Sequence, residues 1–309
     1  MTVIILLNWN GADDTLACLD SLERAGGEFA VVVADNRSTD DSLARLQDYV
    51  ASPHRHEIHI LPLDENYGFA EGNNRALHFA ATLGADSYLL LNNDTEVEPD
   101  FLTELTAFAE ANPQYVALTP QIDYFYDKDK VWFTGGQLTF GSRNRLWHDE
   151  PRSQVPAEPF DITFISGCAL FFVPSLLDGG NDLLDKAFFF GEEDYEFSLR
   201  LQKAGKKMAC VPASRVFHKV GASMQRVDDS RKTGRDYSFY LGKMIGCRRY
   251  YGKAKFFLLR MLMFVKSCQN FHRKGSSLKH SLALSCRLTR DARRKQGISR
   301  EDFQGYMNM

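Results

Sequence analysis

No stretch of this sequence approaches the ~20 consecutive apolar residues that a helix needs to cross a bilayer. No basic region precedes the first apolar run, Val3 to Leu7, and Asn8 ends that run early. The opening residues therefore predict a first strand rather than a secretion signal. Cysteine is sparse and scattered: Cys18, Cys168, Cys210, Cys247, Cys268 and Cys286 never fall into a C-x-x-C pair. That spacing argues against a zinc site or a disulfide framework and for reduced thiols in a cytosolic protein. A G-x-G-x-x-G fingerprint and a Walker A loop are both missing, which argues against a dehydrogenase or a P-loop enzyme. There is no internal repeat and no low-complexity segment.

The chain of 309 residues is long enough for a large core, as one big α/β domain or as a domain plus an extension. Its net charge of −3 hides an asymmetry. Residues 231–309 carry 19 Lys and Arg against 4 Asp and Glu, about +15, so the first 230 carry about −18. An acidic body with a basic tail predicts two jobs in one chain.

The body alternates strands and helices. "TVIILLNWN", "FAVVVADNRSTDDS", "EIHILPLDEN" and "SYLLLNND" read as strands that end in polar residues. "DDTLACLDSLERA", with Leu16, Leu19 and Leu22 at helical spacing, "LARLQDYVA" and "YGFAEGNNRALHFAATLGA" read as the helices between them. Such alternation predicts right-handed β-α-β units and a parallel sheet. Then the rhythm changes. "VALTPQIDYF", "VWFTGGQLTF" and "ITFISGCALFFV" predict strands of mixed pairing around a turn-rich stretch from Gly141 to Pro159.

In open parallel sheets ligands bind beyond the carboxyl ends of the strands. Those ends supply Asn8 and Asn10, Asp35 and Asn36, Asp64 and Asn66, and Asn92 to Asp94. Asn and Asp also cap helices and make turns there, so each alone is ambiguous; that reading strains to cover all four ends. Gly68 and Gly72 in "NYGFAEGNN" are expected to let backbone approach a ligand, with the following helix N-terminus offering N–H groups to phosphate. "FFFGEEDYEF" sets Glu192, Glu193 and Asp194 at a helix start behind three aromatics. Acids suit that position through the helix dipole, and burial there would also raise a carboxyl toward a working base. His218 ends a further strand, and a lone histidine is by itself more often structural than a ligand. His54, His56 and His59 alternate into a strand and are expected to form a solvated edge rather than a metal site.

Together "VIILLNWNGADDTLACLDSL", "VVVADNRSTDDS", "NYGFAEGNN", "LLLNNDTEVEPDFL", "FISGCALFF", "GEEDYEFSLRLQKAG" and "HKVGAS" resemble glycosyltransferase family 2, particularly its rhamnosyltransferase-like branch, over about residues 1–225. The resemblance implies an α/β GT-A fold, a Rossmann-like, mostly parallel sheet flanked by helices. It also implies a nucleotide-diphosphate-sugar donor, a divalent metal (Mg²⁺ or Mn²⁺) and inversion at the anomeric carbon. By the same resemblance Asn8 and Asp35 line the base and ribose. The turn around Asn66 to Asn74, with Gly68 and Gly72 in it, closes over the nucleotide, with Arg75 near the phosphates. "NND" stands for the family's D-x-D, so Asn93 lies at the donor and Asp94 is the metal carboxylate, with His218 as second ligand. Asp194 is the general base, and Gly167, Cys168 and Glu193 lie on the acceptor side. Asn92 replaces the first acid of D-x-D, which removes a charge from the metal site.

Residues 231–309 are expected to form a basic, amphipathic helical extension beyond a 1–230 glycosyltransferase domain. A Lys/Arg-rich helix suits a nucleic acid or a solvated face as well. Downstream of a sugar transferase, an anionic membrane surface carrying a lipid-linked or glycan acceptor is the expected partner, not nucleic acid. In "KAKFFLLRMLMFVK", Phe256, Phe257, Leu259, Leu262 and Met263 are expected to enter the interface, with Lys253, Lys255 and Lys266 at head groups and Arg260 interrupting the run. Packing on the catalytic domain or a homodimer through the extension competes with that. The whole predicts a cytoplasmic protein, peripheral at the inner face of the cell membrane. Two rival classes stay open: a nucleotidyltransferase, which needs a basic glycine-rich loop that "LLNWNGADD" lacks, and a non-catalytic sugar-nucleotide or glycan-binding protein.

Overall fold

The computed structural model describes residues 1–177, 182–220 and 232–309. Its amino-terminal half follows the predicted alternation: β1 (Thr2–Asn8), α1 (Ala12–Glu23), β2 (Phe29–Asp35), α2 (Ser42–Val50), β3 (Glu57–Pro62), α3 (Gly68–Ala80) and β4 (Ser87–Asn92). These four strands pair in parallel, in the order β4-β1-β2-β3. The chain thus leaves β1 on one side, reaches β3, and returns to the other side of β1. A crevice opens at such a reversal of strand order, beyond the carboxyl ends of the strands.

Beyond β4 come β5 (Thr95–Val97), α4 (Phe101–Ala111), β6 (Tyr115–Tyr124), β7 (Val131–Phe133), β8 (Gly136–Thr139), β9 (Ser142–Arg145), β10 (Phe160–Ile162), β11 (Ala169–Phe172), α5 (Glu193–Lys203) and β12 (Lys207–His218). The pairing is mixed, as expected. β11 runs antiparallel to β4 and β6, and β12 is parallel to β6. The stretch from Gly141 onward is less irregular than its turn residues suggest, because β9 pairs with β8 as a hairpin turning at Gly141.

Strand alternation builds a core on each side of the sheet. Ile4, Leu6, Val31 and Val33 face α1 and α4, while Val3, Ile5, Ala30 and Val32 face α3. Gly72 lies inside α3, not in the preceding turn, and a Cβ there would stand 2.9 Å from Leu7, so its role is close helix–strand packing. The histidine trio sits on the edge strand and before it. Each ring is half-buried, with His56 stacked on Phe29 and His54 on Tyr49, so these are packed residues rather than a freely solvated edge.

The tail forms α6 (Lys232–Tyr250), α7 (Lys253–Arg273), α8 (Leu278–Arg294) and α9 (Arg300–Met307). α6 packs on α5 and buries Tyr237, Leu241, Met244 and Ile245 in the same core as the sheet. α7 corrects the expected membrane face. Leu259 and Met263 are buried against Gly141 of the hairpin, and Phe256 packs on the core; Phe257, Leu258, Met261, Leu262 and Val265 are the exposed residues. The run from 256 to 265 is apolar nearly all round, so period alone did not show which stripe the hairpin would cover. Of "HKVGAS", Gly221 to Ser223 lie outside the described residues.

Candidate active site

At the rim of β1 and β2 the polar side chains form one connected network. Asn93 Nδ2 donates to Thr15 Oγ1 (2.9 Å), and that hydroxyl donates to Asn8 Oδ1 (2.8 Å). Asn8 Nδ2 in turn donates to Asp35 Oδ1 (2.8 Å). Asp35 also accepts from the Ser38 hydroxyl (2.6 Å) and, through Oδ2, from the Ser38 backbone N–H (2.9 Å). Asn8 is fully buried and its amide is spent, so it acts on the crevice by holding Asp35. Burial without loss of hydrogen bonds makes this rim rigid.

Asn36 organises the neighbouring turn. Its amide reaches Asn66 Oδ1 and the Gly68 carbonyl, and its Oδ1 accepts from the Tyr67 N–H. Gly68 has φ +76°, and a Cβ there would meet the Phe189 carbonyl at 2.1 Å. The Phe69 N–H donates to that carbonyl (2.9 Å) and the Gly68 N–H to Asn66 Oδ1 (3.0 Å). The space beside Gly68 is thus taken by the Phe189 carbonyl, and the first two N–H groups of α3 are engaged by the Asn66 side chain and that carbonyl rather than left free for phosphate. Arg75 is held by Glu71 (3.0 Å) and stacks on the Tyr67 ring, 3.6 Å from its centroid.

Two distant segments meet at the end of β4. β12 pairs antiparallel with β5, setting His218 opposite Thr95, and His218 Nε2 lies 3.1 Å from Asp94 Oδ1. Both residues are only 5–6% exposed. Burial pushes Asp94 up, but the hydrogen bond and charge of His218, with Lys219 nearby, outweigh it and hold the carboxyl below its ordinary value. Burial disfavours the imidazolium, yet Cys168 and then Asp94 raise His218 to about 10. The Trp132 ring abuts the imidazole edge-on, and Nδ1 is buried without a partner.

A carboxylate oxygen and an imidazole nitrogen facing each other at this spacing suit adjacent positions on one small divalent cation, which would displace the shared proton. Among the described residues no group of three His, Cys, Asp or Glu side chains could hold a metal. The residues fit a site with two protein ligands whose other positions fall to phosphate oxygens and water, with the imidazole a softer ligand than Mg²⁺ prefers. Asn92 is fixed through its backbone, its N–H donating to the Cys168 carbonyl (2.8 Å).

That link sets β11 beside β4 and brings the acid cluster to the same crevice. The Cys168 thiol, pushed up by burial, lies within electrostatic reach of His218, Asp94 and Asp194. Asp194 is pushed up first by burial, with Glu192 adding to it; Arg143 and the backbone N–H groups of Tyr195 and Gly167 pull the other way. Glu193 is pushed up by burial and then by Asp194, and its Oε2 is buried with no partner. Two crowded acids of this kind share protons rather than both ionising at neutral pH. A carboxyl raised toward neutrality, facing a crevice, is equipped to accept a proton.

The sequence pattern alone did not single out Arg143. From β9 it grips Glu192 with both guanidinium nitrogens (2.7 and 3.2 Å), while lying 4.6 Å from the Phe164 ring centroid. Glu192 has φ +70°, unusual for a side chain with a Cβ, and Gly242 of α6 closes behind it. Phe189 and Phe190 pack on Phe303 of α9. Tail and hairpin together hold the acid-bearing turn. No local signal marks Arg143; its partner lies across the fold.

The chain matches the family described as Glycosyl transferase family 2 over residues 3–178. It is 27% identical over 144 residues to a teichoic acid poly(glycerol phosphate) polymerase of Staphylococcus epidermidis, covering 41% of this chain and 19% of that protein. The chain thus spans about a fifth of that relative's length. Among solved structures, S. aureus TarS 1-349 in complex with UDP aligns with a TM-score of 0.61 at 15% identity, over 99% of this chain and 89% of the other. The mannosyltransferase PcManGT from Pyrobaculum calidifontis in complex with GDP-Man and Mn²⁺ aligns with a TM-score of 0.59 at 15% identity, over 99% and 84%.

Proposed function

The chain belongs to glycosyl transferase family 2 and has the GT-A fold, and from that premise we propose that it is an inverting, metal-dependent glycosyltransferase. It transfers a sugar from a nucleotide-diphosphate-sugar donor to a hydroxyl of a glycan or lipid-linked acceptor in bacterial cell-surface polysaccharide synthesis. Its strand-end and loop motifs favour the rhamnosyltransferase-like branch. Support comes from relatives that carry UDP or GDP-Man with Mn²⁺ and from a relative named for teichoic acid polymerisation. Residues 1–230 are the catalytic unit and 231–309 its basic extension. The protein works in the cytoplasm, attached peripherally to the inner face of the membrane. Among the described residues no helix is long and apolar enough to cross one.

The observation that carries this reading is the Asp94–His218 pair, with Cys168 within electrostatic reach of both that pair and Asp194. Asp94 and His218 would hold the divalent ion, which when bound would neutralise the charge growing on the leaving diphosphate. Asp194 takes the proton of the acceptor hydroxyl as its oxygen attacks the anomeric carbon. The bond from that carbon to the diphosphate breaks on the opposite face, so the configuration inverts. Burial and then Glu192 keep Asp194 basic enough for the task, and Arg143 through Glu192 holds the turn that carries it. Asp35 and the Asn36-ordered turn shape the nucleotide end of the crevice. Screening UDP-, GDP- and dTDP-sugars for thermal stabilisation and hydrolysis with and without Mn²⁺ tests this. At least one donor should stabilise the protein only with metal; no response from any donor would sink the reading.

A further inference from the structure

The extension carries a feature that the transferase chemistry does not use. Antiparallel α7 and α8 are registered by a Ser267–Ser285 hydroxyl pair (2.9 Å), and along their seam lies a groove of about 450 Å³. Arg260, Cys286, Thr289, Arg290, Arg293 and Arg294 line it. Among the described residues no carboxylate pairs with Arg260, Arg293 or Arg294; Arg290 reaches only Asp291 at 4.0 Å, which Arg287 and Tyr237 already engage. Arg260 Nε is buried without a partner. Burial first, and the like charge of Arg293 second, lower the pKa of Arg260. Four guanidinium groups around one recess repel each other until an anion enters, and their planar forks match phosphate oxygens.

Beside the groove the molecule leaves apolar surface bare. Phe257, Leu258, Met261, Leu262 and Val265 are exposed along α7, and Leu278 and Leu282 along the first turns of α8. Basic recess and apolar stripe therefore share one face of the helical hairpin, the charge and shape complement of an anionic lipid surface. We infer that this face docks on a membrane, with lipid phosphate head groups in the arginine groove and the α7 stripe among the acyl chains. The site is independent of the catalytic crevice, so it stands or falls apart from the transferase reading.

Co-sedimentation of the full chain with phosphatidylcholine vesicles, with and without phosphatidylglycerol, tests it. The protein should pellet with the anionic vesicles and not with the neutral ones. Arg260→Gln combined with Arg293→Gln should lower partitioning by roughly 30-fold, the combined worth of two basic residues at an anionic leaflet. Arg260→Lys with Arg293→Lys should restore much of it. A charge-matched pair away from the groove, Lys203→Ala with Lys206→Ala, should lose far less, and Leu258→Asp should weaken binding with the groove intact. Equal losses from the two pairs would mean diffuse charge and overturn the site. Calorimetric binding of inorganic pyrophosphate without metal, lost in the Arg260→Gln, Arg293→Gln variant and accompanied by no vesicle binding, would make the occupant a free anion and overturn the membrane face. So would a dimer that Met261→Asp dissociates while vesicles are ignored.

Discussion

The two halves of the crevice are built on opposite principles. At the ends of β1, β2 and β4, the proposed donor side, Asn93, Thr15, Asn8, Asp35 and Ser38 satisfy one another, and Asp94 is held ionised by His218. At the start of α5, the proposed acceptor side, Glu192, Glu193 and Asp194 crowd together, and Glu192 has a cationic partner in Arg143 while Glu193 Oε2 has none. The first half is rigid because its polar groups are paired; the second holds protons because its charges are not. The proposed transfer, which grips one substrate and deprotonates another, uses both conditions side by side.

The contrast is broken most severely at Asp194. Asp194→Asn should lower turnover by ~10²–10⁴-fold, the usual worth of a positioned base, while calorimetry shows donor affinity nearly unchanged. Wild-type kcat/KM should rise with pH along an acid limb above the ordinary aspartate pKa of about 4, because the base must be ionised to work. A mutant within a few-fold of wild type would move the base to Glu192 or Glu193.

Arg143→Met comes next. It leaves Glu192 buried without its partner, at about 3 kcal/mol, the low end for a broken buried pair because the guanidinium is 24% exposed. It also removes the positive charge that lowers Asp194, so the acid limb should shift to higher pH. Urea unfolding and a pH–rate profile read the two effects separately. An unmoved limb would make Arg143 purely structural.

Asp94→Ala should weaken Mn²⁺-dependent binding of a nucleoside diphosphate by at least ~10-fold, since loss even of an outer partner costs ~10–100-fold in metal affinity. Metal-free affinity should be unchanged. Equal affinities with Mn²⁺ would reduce Asp94 to a turn residue. Thr15→Val should cost about 2 kcal/mol of stability, because it strands the Asn8 carbonyl and the Asn93 amide inside the network. Urea unfolding checks it, and a loss under half that would show the network re-forming around the gap.

The smallest change sharpens the other half. Glu193 binds its proton more tightly folded than unfolded, so wild-type stability should fall as pH rises from the ordinary carboxyl range through the raised one. Glu193→Gln keeps shape and removes that titration. Thermal melts across pH should flatten in the variant, and a curve parallel to wild type would assign the slope elsewhere.

The alternation of apolar strands with helices, and the right-handed crossover that chirality imposes, were legible because both are local. So were the strand-end residues Asn8, Asp35 and Asp94, since a strand that stops abruptly in polar residues marks the rim of a parallel sheet. What each of them touches was not. The spacing of glycines at 68 and 72 is the same whether a phosphate or the Phe189 carbonyl and Leu7 fill the space, and only the fold chose the latter. An apolar run does not say which of Leu258 and Leu259 meets the β8–β9 hairpin and which meets solvent. Nor does a turn-rich segment announce that Arg143 will clamp Glu192. Periodicity is set by neighbours along the chain, whereas partners are set by packing between segments far apart in it. That long-range packing decided which acids lie paired, which lie raised, and where the arginines of the tail converge.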